Sequence, residues 1–252
     1  MQEGQEVNRS KAKNGSKSSK GWRPAVPVVP LAIVISGPAG AGKTTLCKSL
    51  MALPGEIFSY ATTTTTRPPR PAEVDGKDYY FVSTEEFQSS IARGEFCEHA
   101  TVHGRHLYGL KISELERHFV SGRSVLITMD VHGAMTLKGL SVGDPQHVLH
   151  SRVVSIFLMP PRRSELYSRL WRRENIDEDE VASRMFSMET EMQSAGAYDY
   201  RIPSTSQKNT VENFMHIYHA EQMRRVRCEF VQQSAEQFPQ DAVQDGRIGF
   251  PL

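Results

Sequence analysis

The chain predicts an α/β fold: a central parallel sheet flanked by helices, interrupted by a small mixed-sheet insertion and completed by a helical lid. Three features carry that reading. An apolar, β-branched run at residues 31–36 enters a glycine-rich loop and then a stretch of helical composition. Runs of the same buried-strand character return at 124–129 and 152–159. Between the first run and the later ones lies a polar stretch, 62–121, of short strands and short helices, with the composition of an insertion.

The loop is the most informative segment. Gly37, Pro38, Ala39, Gly40, Ala41, Gly42, Lys43 and Thr44 match G-x-x-x-x-G-K-[ST] at every fixed position, with Thr45 opening the helix that runs to residue 53. Gly40 and Gly42 let the backbone curl so that its N–H groups face an anion at the positive end of the helix dipole. Lys43 is placed to reach the β- and γ-phosphates of a nucleotide, and the Thr44 hydroxyl to bind Mg²⁺. Strand, loop and helix in this order predict a site for a nucleoside triphosphate.

Composition narrows the remaining classes. At 252 residues and 38% hydrophobic content the chain can bury a full core. A net charge of +1 gives no global field for nucleic acid, so no specific nucleic-acid partner is expected. The longest apolar stretch, 26–35, is broken by Pro27 and Pro30, so no membrane partner is expected either. Cys47, Cys97 and Cys228 are odd in number and without metal-ligand spacing; they read as reduced thiols of a cytoplasmic protein.

In chain order, residues 1–24 form a Lys/Ser/Gly-rich basic arm with too little apolar content to fold; a solvated arm fits it better than the alternative, a weak RNA- or phosphate-attracting tail. Residues 57–66, with five consecutive threonines, predict a strand or its exit loop. In Arg67-Pro68-Pro69-Arg70 the prolines stiffen the chain and hold two guanidiniums apart. A strand is expected at 78–82, then a helix opened by the capping box Ser83-x-x-Glu86 and ended by Gly94. A strand at 95–102, a turn at Gly104 and a helix at 113–120 closed by Gly122 follow. Asp130 ends the strand at 124–129, either as a Mg²⁺-associated carboxylate, directly or through water, or as the cap of the next helix. Helices are expected at 164–173 and 177–197, where Arg169, Arg172, Arg173 and Arg184 mark either a closing lid or a solvated face. A last strand at 199–202 and a helix at 209–234 complete the core, before a polar tail at 235–252. The domains are therefore an arm (1–24), a core (25–61, 122–170 and 195–234), an insertion (62–121), a lid (171–194) and the tail.

Beyond the loop, the run T-T-R-P-P-R-P-x-E-x-D-G-x-D-Y-x-F-V at 65–82 resembles the guanylate kinases. So do Gly94-Glu95-Phe96-x-Glu98, Val102-His103-Gly104, Tyr108-Gly109, Asp130-Val131-x-Gly133-Ala134, Arg169-Leu170 and Tyr198-Asp199-Tyr200. The resemblance covers residues 31–234. It implies ATP-dependent phosphorylation of GMP and dGMP with Mg²⁺, in a monomer or homodimer. Arg67, Arg70 and Tyr79 would grip the acceptor's phosphate, and Thr63, Glu98, Tyr108 and Asp130 would complete the GMP site. Lys43, Arg70, Arg173 and Arg184 would stabilise the migrating phosphoryl. A carboxylate at Glu98 accepts from the guanine N1–H and amine and repels the adenine N1; taken alone, without the resemblance, Glu98 reads rather as a strand-face ion pair.

The chain departs from that family's pattern at several positions. Thr63 stands for a serine, Leu110 for a Ser or Thr after Tyr108-Gly109, and Thr128 for a carboxylate. The loop Arg105-His106-Leu107-Tyr108 is one residue longer, Arg172-Arg173-Glu174 replaces Gly-Arg-Gly, and Pro203-Ser204-Thr205 replaces Val-Asn-Asp. These leave two alternatives: a kinase of another phosphorylated acceptor, such as a different nucleotide or a ribose bisphosphate, and a non-catalytic phosphopeptide-binding module. The intact Lys43 and Thr44 count against the module.

Overall fold

The computed structural model of the protein describes residues 29–102, 105–160, 188, 189 and 191–224. The chain runs from β1 (Ala32–Ser36) through α1 (Lys43–Met51) and β2 (Phe58–Tyr60) to β3 (Thr64–Thr65), β4 (Tyr80–Phe81), α2 (Thr84–Ala92), β5 (Phe96–Val102) and β6 (His106–Lys111). It returns through α3 (Ile112–Val120), β7 (Ser124–Thr128), α4 (Val131–Val142) and β8 (Val153–Met159), and ends with β9 (Tyr200–Pro203) and α5 (Gln207–Gln222).

Two sheets result. The larger is parallel throughout, in the order β2-β7-β1-β8-β9. Its central strands β7, β1 and β8 read as continuous apolar runs because both faces are covered. Ile33 and Ile35 of β1 join Leu46, Leu50, Leu126, Ile156 and Phe214 on the α1 and α5 side. Ala32 and Val34 point to the other face, with Val125, Ile127, Ala134, Leu137 and Phe157 under α4. Asp199 secures that face: its carboxylate accepts from Ser155 N–H and Oγ at 2.8 and 2.7 Å and pairs with Lys138 of α4 at 2.7 Å.

The smaller sheet is mixed, in the order β4-β3-β6-β5, with β3 parallel to β4 and antiparallel to β6. α2 covers one of its faces, opened by Ser83 Oγ accepting from Glu86 N–H at 3.1 Å and closed at Gly94, φ +67°. Phe87 of α2 stacks on Phe96 of β5, ring centroids 4.5 Å apart.

Several expectations shift in detail. The strand expected at 57–66 is two strands in two sheets, since the Ala61 N–H bonds Leu126 of the large sheet while Thr63 O accepts from Tyr80 of the small one. The strand at 78–82 is only two residues long. β6 is an addition: its six residues, HLYGLK, hold their conformation by pairing on both edges, which local composition does not reveal. The first helix begins at Lys43, two residues earlier than read, because Gly42 serves as its N-cap and Lys43 and Thr44 of the motif already stand in its first turn. The helix expected at 209–234 is α5, which begins at Gln207 and ends at Gln222, where Met223 caps it; it is shorter than expected. Of the expected helices at 164–173 and 177–197, residues 188, 189 and 191–193 are helical and Ser194–Ala197 forms a 3₁₀ turn; the remainder lies outside the described residues, as do the arm, Gly104 and the tail. Among the described residues no helix is long and apolar enough to cross a membrane.

Gly109 of β6 sits under the stacked pair: a Cβ there would lie 2.7 Å from Phe96 Cδ1 and 3.0 Å from Phe87 Cζ. Gly109→Ala is therefore expected to lower stability by about 1–3 kcal/mol through overpacking, read as a lower urea midpoint at unchanged slope.

Candidate active site

The C-terminal ends of β1, β7 and β8 converge, and the glycine loop leaves β1 at that edge. Gly37, at φ +142°, passes so close to β8 that a Cβ would meet the Leu158 carbonyl oxygen at 2.5 Å. Gly40 and Gly42 also have positive φ, and Ala41 N–H closes a turn on Pro38 O at 3.0 Å. Gly42 caps α1 without any side-chain bond, and the first turn holds no acidic residue. The amides at this end therefore have no intrahelical partner, and the helix dipole is left for an anion. Lys43 Nζ folds back on its own loop, donating to Gly37 O and, at 3.2 Å, to Pro38 O. Thr44 and Thr45 are exposed on the first turn of α1.

Beside the loop, Gly42, Thr45, Ser204, Thr205, Ser206, Gln207 and Thr210 line a cavity of about 210 Å³. At the end of β7, Asp130 is exposed and caps α4, accepting from Gly133 N–H at 2.9 Å. The capping role weighed from sequence is thus present, and the carboxylate still faces the edge that carries the loop.

The small sheet contributes one of its two faces. Strand alternation and the pairings Glu98–Leu110, Ala100–Tyr108, Thr65–Tyr108 and Thr65–Phe81 place Thr63, Tyr79, Glu98, Tyr108 and Leu110 on the same side. Arg67 joins them. Its Nε donates to Tyr108 Oη at 3.1 Å, its Nη2 pairs with both oxygens of Glu73 at 2.8 and 2.9 Å, and its guanidinium lies 5.4 Å from the Tyr79 ring centre. Glu73 also accepts from Arg70 N–H at 2.8 Å, and that bond, with the Arg67 pair, holds its carboxyl below the usual value. The Arg70 side chain is exposed.

Glu98 bridges the two sheets. Its carboxyl lies against Gly133 of α4, where a Cβ would be 3.2 Å from Cδ. Burial, and then the charge of Asp130, push this carboxyl up to about 7, against a smaller lowering by His132. Glu191, not singled out from the sequence, belongs to the same neighbourhood; burial raises its carboxyl and the charge of Lys43 opposes the rise.

Two departures have a structural reading. The Leu110 side chain is fully buried in the core. Thr128 Oγ1 shares a hydrogen bond with Tyr60 Oη, so a hydroxyl pair spans β7 and β2. Tyr60 was not legible as a site residue, because its partner Thr128 is distant in sequence, and although Glu73 stands in the matched run its pairing with Arg67 is not evident from the pattern. Among the described residues no three or more His, Cys, Asp or Glu side chains group as a metal site, and Arg173 and Arg184 lie outside those residues.

The family model described as Guanylate kinase matches residues 30–221. The chain is 38% identical to the guanylate kinase of Geobacter metallireducens over 197 residues, which is 77% of this chain and 90% of the relative. It is 36% identical to that of Thermotoga maritima, covering 77% and 88%. The crystal structure of guanylate kinase from Anaplasma phagocytophilum superposes with a TM-score of 0.63 at 31% identity, covering 82% of this chain and 94% of that one.

Glu98 gives the region a pH signature. Its carboxyl titrates near 4.5 when unfolded and near 7 when folded, so its proton stabilises the fold fully below pH 4.5 and loses that effect as pH rises through 7. The stability difference between the wild type and Glu98→Gln is expected to move in favour of the wild type on going from pH 8 to pH 5, as read by urea denaturation.

Proposed function

The chain belongs to the guanylate kinase family, which phosphorylates GMP using ATP, and from that premise we propose how its residues divide the reaction. The observation that carries the proposal is the meeting of Glu98 with α4 at Gly133, three residues beyond Asp130. It brings the ligand face of the small sheet against the edge of the large sheet that bears the phosphate loop.

On this reading ATP lies along the loop, its phosphates held by residues 37–45. Lys43 exchanges the carbonyls of Gly37 and Pro38 for the β- and γ-phosphate oxygens, a change of partners that needs only side-chain rotation. The adenosine part takes the cavity beside Gly42, where Ser204 and Thr205 offer hydroxyls to its polar edge. GMP lies on the small sheet with its phosphate at Arg67, Arg70, Tyr79 and Tyr108 and its base toward Glu98 and Thr63. Leu110 is buried, and Thr128 is directed to Tyr60, so the guanine contacts concentrate on Glu98 and Thr63.

The exposed Thr44 hydroxyl and the exposed Asp130 carboxylate are hard oxygen donors at one edge, a set that suits Mg²⁺ beside phosphates. When bound, the ion neutralises charge on the phosphate oxygens. Phosphoryl transfer asks the protein chiefly for alignment and charge stabilisation, which Lys43 supplies on the donor side and Arg70 on the acceptor side. Arg173 and Arg184 are assigned the flanks of the migrating group on the sequence resemblance alone. The attacking oxygen of GMP is already ionic, so no general base is required.

ADP release with ATP and Mg²⁺, offered GMP, dGMP, AMP, UMP and ribose 1,5-bisphosphate in parallel, is expected to be fast only with GMP and dGMP. Preference for another acceptor would overturn the base assignment. Lys43→Ala is expected to cut turnover with every acceptor by about a thousandfold or more. Glu98→Gln is expected to raise the KM for GMP about tenfold or more and to leave the KM for ATP unchanged.

A further inference from the structure

The small sheet joins the core through two crossings: residues 61–63 lead out and α3 leads back. Backbone hydrogen bonding changes owner abruptly on the way out. Ala61 N–H bonds Leu126 O in the large sheet at 3.0 Å, and Thr63 O accepts from Tyr80 N–H in the small sheet at 2.9 Å. The N–H between them, on Thr62, is buried and belongs to neither ladder; it donates to Glu114 Oε1 at 2.8 Å.

Glu114 stands in the first turn of α3, on the returning crossing, and is itself only 4% exposed. Its Oε1 also receives Arg117 Nη2 at 2.8 Å and His118 Nε2 at 3.2 Å, and its Oε2 receives Tyr80 Oη of β4 at 3.3 Å. Burial acts to raise this carboxyl, but the bonds from His118, Arg117 and Thr62 outweigh it and hold it below the usual value. A single buried anion therefore ties the outgoing crossing, the returning helix and a strand of the small sheet. A buried carboxylate with four donors is stiff, because removing it leaves a buried N–H without a partner.

We propose that Glu114 is a positioning residue for the acceptor nucleotide, a clasp between the two crossings that sets where the ligand face of the small sheet stands over the phosphate loop. The next residue after Thr62 is Thr63, whose side chain belongs to that face, so the clasp fixes the backbone on which the face begins. This rests on the reading that the face bearing Thr63, Tyr79, Glu98 and Tyr108 takes GMP. The ATP half of the site, built on β1, α1 and β8, is independent of the clasp.

Steady-state kinetics separate the roles. Glu114→Met keeps the volume and removes both acceptors; it is expected to raise the KM for GMP about tenfold and to leave the KM for ATP within about twofold. Glu114→Gln keeps a carbonyl for the Thr62 N–H and is expected to restore the KM for GMP to within about threefold of wild type. Equal rises in both KM values, or a lower melting temperature with both KM values unchanged, would overturn the proposal. Should Glu114→Met fail to fold, hydrogen exchange of wild-type protein decides: a Thr62 amide as protected as that of Ala61 supports the clasp, and exchange at loop rates overturns it. Glu98→Gln, measured alongside, distinguishes the two readings. If it raises the KM for GMP and Glu114→Met does not, the clasp fails alone; if Glu114→Met raises it and Glu98→Gln does not, the clasp stands and the assignment of the base-reading carboxylate fails.

Discussion

The approach of Gly37 to the Leu158 carbonyl governs much of this architecture. No side chain fits between them, so β1 leaves the sheet hugging β8 and the loop curls over the ends of the parallel strands. That path delivers Gly42 to the start of α1 at the central switch of strand order, where crossovers diverge to either side and a crevice opens. Asp130 at the end of β7 and Ser204 after β9 border the same crevice because every strand in the sheet is parallel. One tight contact thus aligns groups drawn from distant parts of the sequence.

The small sheet solves a different problem: it must present a polar face to a ligand while keeping a core of its own. Alternation along β3, β4, β5 and β6 sends Thr63, Glu98 and Tyr108 to one side and leaves the other for packing under α2. The stacked Phe87 and Phe96, with Gly109 beneath them, form that packed side. Because Gly109 and Tyr108 are neighbours on one strand, core and ligand face are coupled through a single peptide unit.

The phosphate loop, the core strands β7 and β8, the capped helix α2 and the arginine–proline run were legible from sequence, since each has a local signature in glycine spacing, apolar runs or a capping box. β6 was not, because its conformation comes from partners on both edges, and the split of 57–66 into two sheets was hidden in a uniform run of threonines. Among the candidate site residues, Lys43 and Arg67 stood out from pattern and Glu98 only through the family resemblance. Tyr60 and Glu191 were not: Tyr60 acts through the hydroxyl of Thr128 and Glu191 through the charge of Lys43, and neither proximity is written in spacing; Glu73 lies in the matched run, which does not by itself reveal its pairing with Arg67.

The pairing of Arg67 with Glu73 has a consequence for selectivity among anions. Every edge of the guanidinium is engaged, by Tyr108, by the Pro68 carbonyl and by both oxygens of a carboxylate tethered six residues away. A tethered competitor acts at an effective concentration in the millimolar range or above. A bare phosphate or sulfate from the surrounding solution must displace it with one set of contacts and gains little by doing so. A phosphate carried on a larger molecule arrives with further contacts already made and competes as an intramolecular partner itself. On the proposed reading of Arg67 as part of a phosphate clamp, the ion pair would work as an occupancy filter, closed to the abundant simple oxyanions and open to an ester that is also held elsewhere.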